Sequence, residues 1–147
     1  MNILFVCTGN TCRSPMAEAI FRHYAKESHE VQSAGLFAQP GSDASTHAKH
    51  ALENKGIAVN HSSQQVTEEL LDWADLIVTM TGSHRDNILI FYPHLSGKIV
   101  TLYEAAGESK RDITDPYGGS LSVYKETLDE LENLIQRFIE KLEQEHS

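Results

Sequence analysis

Short continuous apolar runs alternate along the chain with stretches in which apolar residues recur every three or four positions, and the two patterns predict different elements. Ile3 to Val6 is a continuous run, the mark of a strand covered on both faces, and it stops at Cys7-Thr8-Gly9. Ser14 precedes Pro15, a favoured pairing of N-cap and first helical residue. Met16, Ala19, Ile20 and Tyr24 follow as a stripe at helical spacing, which predicts a helix over about 15–28. A short strand is expected at Val31 to Ala34, a helix near His47 to Lys55 with Gly56 as its stop, and a helix opened by Thr67-Glu68-Glu69. Leu76-Ile77-Val78 reads as a second buried strand, 83–91 as a helix ending before Pro93, and Lys98 to Tyr103 as a further strand. Last, Tyr124, Leu128, Leu131, Ile135, Phe138 and Leu142 predict a long amphipathic helix with a charged tail.

Strands alternating with helices imply an α/β fold: a mainly parallel sheet of about four strands with helices on both faces. In such sheets ligands bind beyond the carboxyl ends of the strands, where Cys7 to Ser14 falls. With 147 residues and 40% apolar content, the chain suits one domain over 1–147, burying roughly two-thirds of its unfolded surface. No apolar run approaches the ~20 residues of a membrane span, and no basic leader precedes Ile3, so a soluble, cytoplasmic protein without a membrane partner is expected. A net charge of −9 argues against nucleic acid as partner, since that binding needs basic side chains. Any anion site must therefore be local. The sequence does not set the oligomeric state, and a monomer is assumed.

Two cysteines five apart are too few for a disulfide framework and point to catalysis or redox chemistry. Between the first strand and the first helix, Gly9 permits unusual backbone conformations, so that successive amides can turn inward as an anion cradle. Arg13 adds a planar fork of donors suited to two phosphoryl oxygens. In that setting Cys7 would act as a thiolate nucleophile. A free cysteine alone is more often a small buried apolar residue; Cys, five residues, Arg, Ser between a buried strand and a helix is far more specific. A nucleotide P-loop would need Gly-Lys before Ser or Thr, which Arg13-Ser14-Pro15 lacks. Two cysteines without a second ligand pair make no zinc site, so neither metal nor cofactor is expected. A nucleophile of this kind needs an acid, and Asp115 in Thr114-Asp115-Pro116-Tyr117-Gly118-Gly119 is the best candidate, in an ordered but irregular loop. Asp-Pro also simply begins turns, and Asp75 and Asp112 remain alternatives. Tyr117 would wall the pocket or merely pack.

These residues resemble the low-molecular-weight protein tyrosine phosphatase family, whose signature is Cys-x-Gly-Asn-x-Cys-Arg-Ser-Pro near the N-terminus and an Asp-Pro loop late in the chain. The resemblance extends to Ser33-Ala34-Gly35 and the last helix. Within the family, Thr11 and Asp115 to Gly119 are most similar to the bacterial protein arginine phosphatases, which usually carry Phe at the place of Tyr117. The resemblance implies that Cys7 attacks phosphorus and that Arg13 with the loop Thr8, Gly9, Asn10, Thr11, Cys12 and Ser14 binds the phosphoryl group. Asp115 would be acid and then base. Asn10 would brace the cradle, Ser14 would hydrogen-bond the thiolate, and Ser33 and His61 would support it from behind; the other seven histidines read as ordinary. Phosphorylated proteins are the implied substrates. Alternatives are a tyrosine phosphatase on the same scaffold, an arsenate reductase, for which no further resolving cysteine is present, and a silent phosphate-binding module. Peroxide is expected to join Cys7 and Cys12 in a reversible disulfide.

Overall fold

Strand β1 (Asn2–Cys7) sends successive side chains to opposite sides, and both sides are apolar. Ile3, Phe5 and Cys7 enter one buried cluster, while Leu4 and Val6 enter another. The computed structural model describes residues 1–25, 28–108 and 111–145. Around β1 lie β2 (Glu30–Gly35), β3 (Leu76–Thr79) and β4 (Ile99–Thr101), all parallel, in the order β2-β1-β3-β4.

Helices α1 (Arg13–Tyr24), α2 (Thr46–Asn54), α5 (Leu102–Ala105) and α6 (Leu121–Glu145) supply the cluster on the Phe5 side. Helices α3 (Glu68–Trp73) and α4 (Gly82–Phe91), with the 3-10 turn at Pro93–Gly97, cover the Leu4 side. Expected and observed architecture agree: four parallel strands with helices on both faces. The stripe Tyr124, Leu128, Leu131, Ile135, Phe138 and Leu142 is buried along α6 as its spacing requires. Rings of Phe5, Phe21 and Phe138 meet at 5.9–6.4 Å between centroids, within the range of favourable aromatic pairs.

Four expectations need correction. Ser14 is not an N-cap: α1 starts at Arg13, with Cys12 in the cap position but its side chain not bonded to the first-turn amides. That helix ends at Tyr24, where Ala25 turns extended; of the predicted continuation to 28, residues 26 and 27 lie outside the described residues. Tyr24 leaves the core stripe, donating its hydroxyl to Glu132 at the surface. The strand expected over Lys98 to Tyr103 stops at Thr101, because Thr101 and Glu104 form a reciprocal capping box that starts α5 and puts Tyr103 in a helix. The charged tail reaches Glu145 in α6, and residues 146 and 147 lie outside the described residues.

The consequence for the site is topological. From β1 the chain passes to β2 on one side and later to β3 on the other, so the carboxyl end of β1 is the switch point where such sheets open a crevice. Because Phe138 is 2% exposed and its ring joins the two strand-and-helix aromatics, we expect Phe138→Ala to cost about 3–5 kcal/mol, measured by denaturant unfolding.

Candidate active site

At that switch point, residues 7 to 13 form a loop whose shape is set by one left-handed residue. Asn10 has φ 58°, a conformation that asparagine tolerates because its short amide can bond locally. Gly9, from which this freedom was expected, is not in the left-handed region; a Cβ there would meet Thr11 Oγ1 at 3.7 Å, an ordinary contact. Asn10 is fully buried. Its Nδ2 donates to Ser14 Oγ (2.8 Å) and Ser33 Oγ (2.9 Å), and its Oδ1 accepts from the Gln64 amide (3.0 Å). Its backbone N–H donates to Cys7 Sγ at 3.3 Å, and its carbonyl lies 2.7 Å from His61 Nε2.

Ser14 Oγ is 2.8 Å from Cys7 Sγ. Since Ser14 already accepts from Asn10, its own hydrogen is free to point at the sulfur, which is the requirement for stabilising a thiolate. This use of the hydroxyl explains why Ser14 does not cap α1. Behind the loop, Ser33 donates to Glu18 (2.7 Å), and Glu18 pairs with Arg22 at 3.0 Å. Buried polar atoms from Cys7 outward are thus joined in one network.

The loop is clamped against the end of β2. Leu36 and Phe37 donate their amides to the carbonyls of Cys7 and Thr8, and a Cβ on Gly35 would come within 2.5 Å of the Thr8 carbonyl and 3.0 Å of the Asn10 nitrogen. Glycine is needed there for close backbone approach.

Cys7, Thr8, Gly9, Thr11, Cys12, Arg13, Asp115 and Tyr117 line one open cavity of ≈ 240 Å³. Asn10 and Ser14 stand behind it. Arg13, 6% exposed, donates to the Ile113 carbonyl (3.2 Å) and lies 3.5 Å from Asp115 Oδ2. Asp115 therefore shares the cavity with Cys7 and stands next to Arg13. The rival carboxylates are elsewhere: Asp75 accepts from the Asn2 amide at the opposite end of β1, and Asp112 caps Gly82 at the start of α4. Tyr117 lines the cavity but is largely exposed, which fits a wall and not a packing role. Cys12 Sγ lies 3.3 Å from the Tyr124 hydroxyl, and both cysteines are free thiols. Among the described residues no cluster of three His, Cys, Asp or Glu is placed to hold a metal.

His84 departs from the ordinary role expected of it. It is buried, its Nε2 lies 2.9 Å from Thr8 Oγ1, and its Nδ1 has no partner among the described residues. Burial, then the Arg13 guanidinium, push its pKa down to about 4, against Asp112 and Asp115. The available signal was positional: His84 follows β3 by five residues and so falls on the same sheet edge as the loop.

Comparison with known proteins matches this chain over residues 2–147 to the family described as low molecular weight phosphotyrosine protein phosphatase. The protein-arginine-phosphatase of Geobacillus stearothermophilus is 48% identical over 143 residues, covering 97% of each chain. The YwlE arginine phosphatase structure from that organism superposes with a TM-score of 0.95, covering 98% of this chain and 94% of that one. The low molecular weight protein-tyrosine-phosphatase PtpB of Staphylococcus aureus is 41% identical over 135 residues, covering 92% of this chain and 94% of the relative. A YwlE cysteine-to-serine mutant with a phosphorylated active site serine, 46% identical, superposes with a TM-score of 0.94, covering 97% of this chain and 96% of that one.

The clamp predicts that Gly35→Ala folds but displaces the loop, weakening tungstate binding by at least ~10-fold, about 1.4 kcal/mol, by calorimetry. His84 carries a separate expectation. Its folded pKa of about 4 lies below the ordinary 6.5, so the unfolded chain takes up the proton first, and stability present above 6.5 is lost as pH falls toward 4. Unfolding of His84→Asn should lack that part of the pH dependence.

Proposed function

The chain belongs to the low molecular weight phosphotyrosine protein phosphatase family, and on that footing we propose that it hydrolyses phosphoarginine in proteins through a phosphocysteine on Cys7. Cys7 Sγ, held by Ser14 Oγ and the Asn10 amide, attacks phosphorus. The S–P bond forms as the P–N bond to the guanidinium breaks, Asp115 gives its proton to the leaving nitrogen, and Arg13 holds the phosphoryl oxygens. Water then attacks the phosphocysteine while Asp115 takes its proton, releasing phosphate and restoring the thiolate. Splitting the reaction in this way replaces one difficult displacement by two easier ones. The phosphorylated serine in the YwlE mutant supports a covalent step at this position.

The observation that carries the arginine reading is that Thr11 and Asp115 line the same cavity as Cys7. A guanidinium is planar and presents N–H donors, for which a hydroxyl and a carboxylate are acceptors. An aromatic leaving group would leave that hydroxyl desolvated and unpaired, at a penalty of about 1–3 kcal/mol. The similarity to a protein-arginine-phosphatase at 48% identity points the same way. An arsenate reductase would need a further cysteine to resolve its intermediate, and this chain has two. A nucleophilic free thiol suits a reducing compartment, so cytoplasmic phosphoproteins are the proposed substrates. No helix among the described residues is long and apolar enough to cross a membrane.

Steady-state turnover of phosphoarginine and phosphotyrosine peptides, side by side, tests the assignment. Phosphoarginine should be preferred, and Cys7→Ser should abolish both activities. Thr11→Ile should lower the phosphoarginine-to-phosphotyrosine ratio of kcat/KM by about 10–200-fold. An unchanged ratio would return the assignment to the tyrosine phosphatase reading that PtpB represents.

A further inference from the structure

An acid must be held at a fixed place, yet the Asp115 side chain is 56% exposed, and the hydrogen bond its carboxylate accepts from the Tyr117 amide is local to the turn. Beyond the turn, its carboxylate meets only the Arg13 guanidinium, at 3.5 Å, so its height in the cavity is set largely by what anchors the neighbouring backbone. Ile113 is held twice, by its amide on the Met80 carbonyl and by its own carbonyl under Arg13. Thr114, the residue next to Asp115, donates its amide to Glu130 Oε1 on α6 at 3.3 Å. Glu130 Oε2 accepts from the Tyr103 hydroxyl on α5.

We infer that Glu130 is a positioning residue for the acid loop: its carboxylate bridges the Tyr103 hydroxyl and the Thr114 amide, and so fixes where Asp115 stands over Cys7. A carboxylate is suited to this because it has two acceptor oxygens and no donor, and its bonds to donors are charge-assisted. Both supports are rigid. Tyr103 is 6% exposed, with Arg111 against its ring at 5.5 Å. Glu130 sits on a 25-residue helix whose Thr127, Leu128, Leu131 and Leu134 are buried. Burial and the bond to Glu130 push the Tyr103 pKa up to about 12, so its hydroxyl remains a donor at any working pH. The same α5 and α6 pack in one cluster with α1, which carries Arg13, so that acid and phosphoryl clamp share one frame. Placing a site on helices through such supporting contacts gives the precision that an open loop lacks.

This inference rests on Asp115 being the acid, and the experiment separates the two. The rate of phosphocysteine formation is measured by rapid quench with phenyl phosphate, whose leaving group needs a proton, and with p-nitrophenyl phosphate, whose leaving group hardly does. Asp115→Asn should slow phenyl phosphate far more than p-nitrophenyl phosphate. Glu130→Ala should slow phenyl phosphate about 10–100-fold and p-nitrophenyl phosphate less than about threefold, as expected for a misplaced acid. Tyr103→Phe, which keeps the ring in its packing, should act in the same direction with a smaller loss. If Asp115→Asn is selective while Glu130→Ala slows both substrates equally, or neither, the positioning role is wrong and the acid assignment stands. If Asp115→Asn shows no selectivity, the acid assignment falls and this inference with it.

Discussion

Everything in the cradle depends on holding one L-residue in a left-handed turn. Asn10 at φ 58° is in a conformation that few L-residues other than asparagine and aspartate adopt readily, and it stays there because its side chain is bonded on three sides, to Ser14, Ser33 and the Gln64 amide. The turn is what aims the Asn10 amide at Cys7 Sγ. The bond to Ser33 requires the parallel register of β1 and β2, with Phe5 opposite Ser33 and Cys7 opposite Gly35. Sheet register, buried polar network and local strain are therefore one arrangement.

The network also handles a buried charge. Glu18 is 9% exposed, and an unpaired carboxylate so placed would be costly. Arg22 and Ser33 occupy its two oxygens, and Arg22 is tied in turn to the Val31 carbonyl. Removing any one member would leave a buried partner unsatisfied, which is why such networks respond to substitution as a unit. Their function here is to keep Ser14 oriented at the sulfur.

Much of this was legible in the chain. The apolar run at 3–6 and the six-residue stripe of α6 are signals that tertiary structure had no reason to override, and spacing alone singled out Cys7 and Arg13, which the fold brings to one cavity. The errors have local causes. Ser14 carries the features of a cap, but a hydroxyl can serve only one geometry, and the thiol claimed it. Tyr103 lies in a β-favouring run, but the Thr101–Glu104 capping box ended the strand first. Choosing among Asp75, Asp112 and Asp115 required knowing which end of the sheet each loop reaches, and sequence spacing does not carry that. His84 was overlooked for the same reason: its importance comes from lying across the crevice from Thr8, 76 residues away in the chain.

The alternation along β1 has one more consequence. Ile3, Phe5 and Cys7 point into the same core, so the proposed nucleophile is the last tooth of a hydrophobic row whose earlier members pack with α1 and α6. A strand with this two-residue period behaves like a reading frame: inserting or deleting one residue before position 7 would turn the sulfur toward the opposite layer of helices. The count of residues from the start of β1 to Cys7 is therefore as much a requirement of the proposed site as any side chain in it.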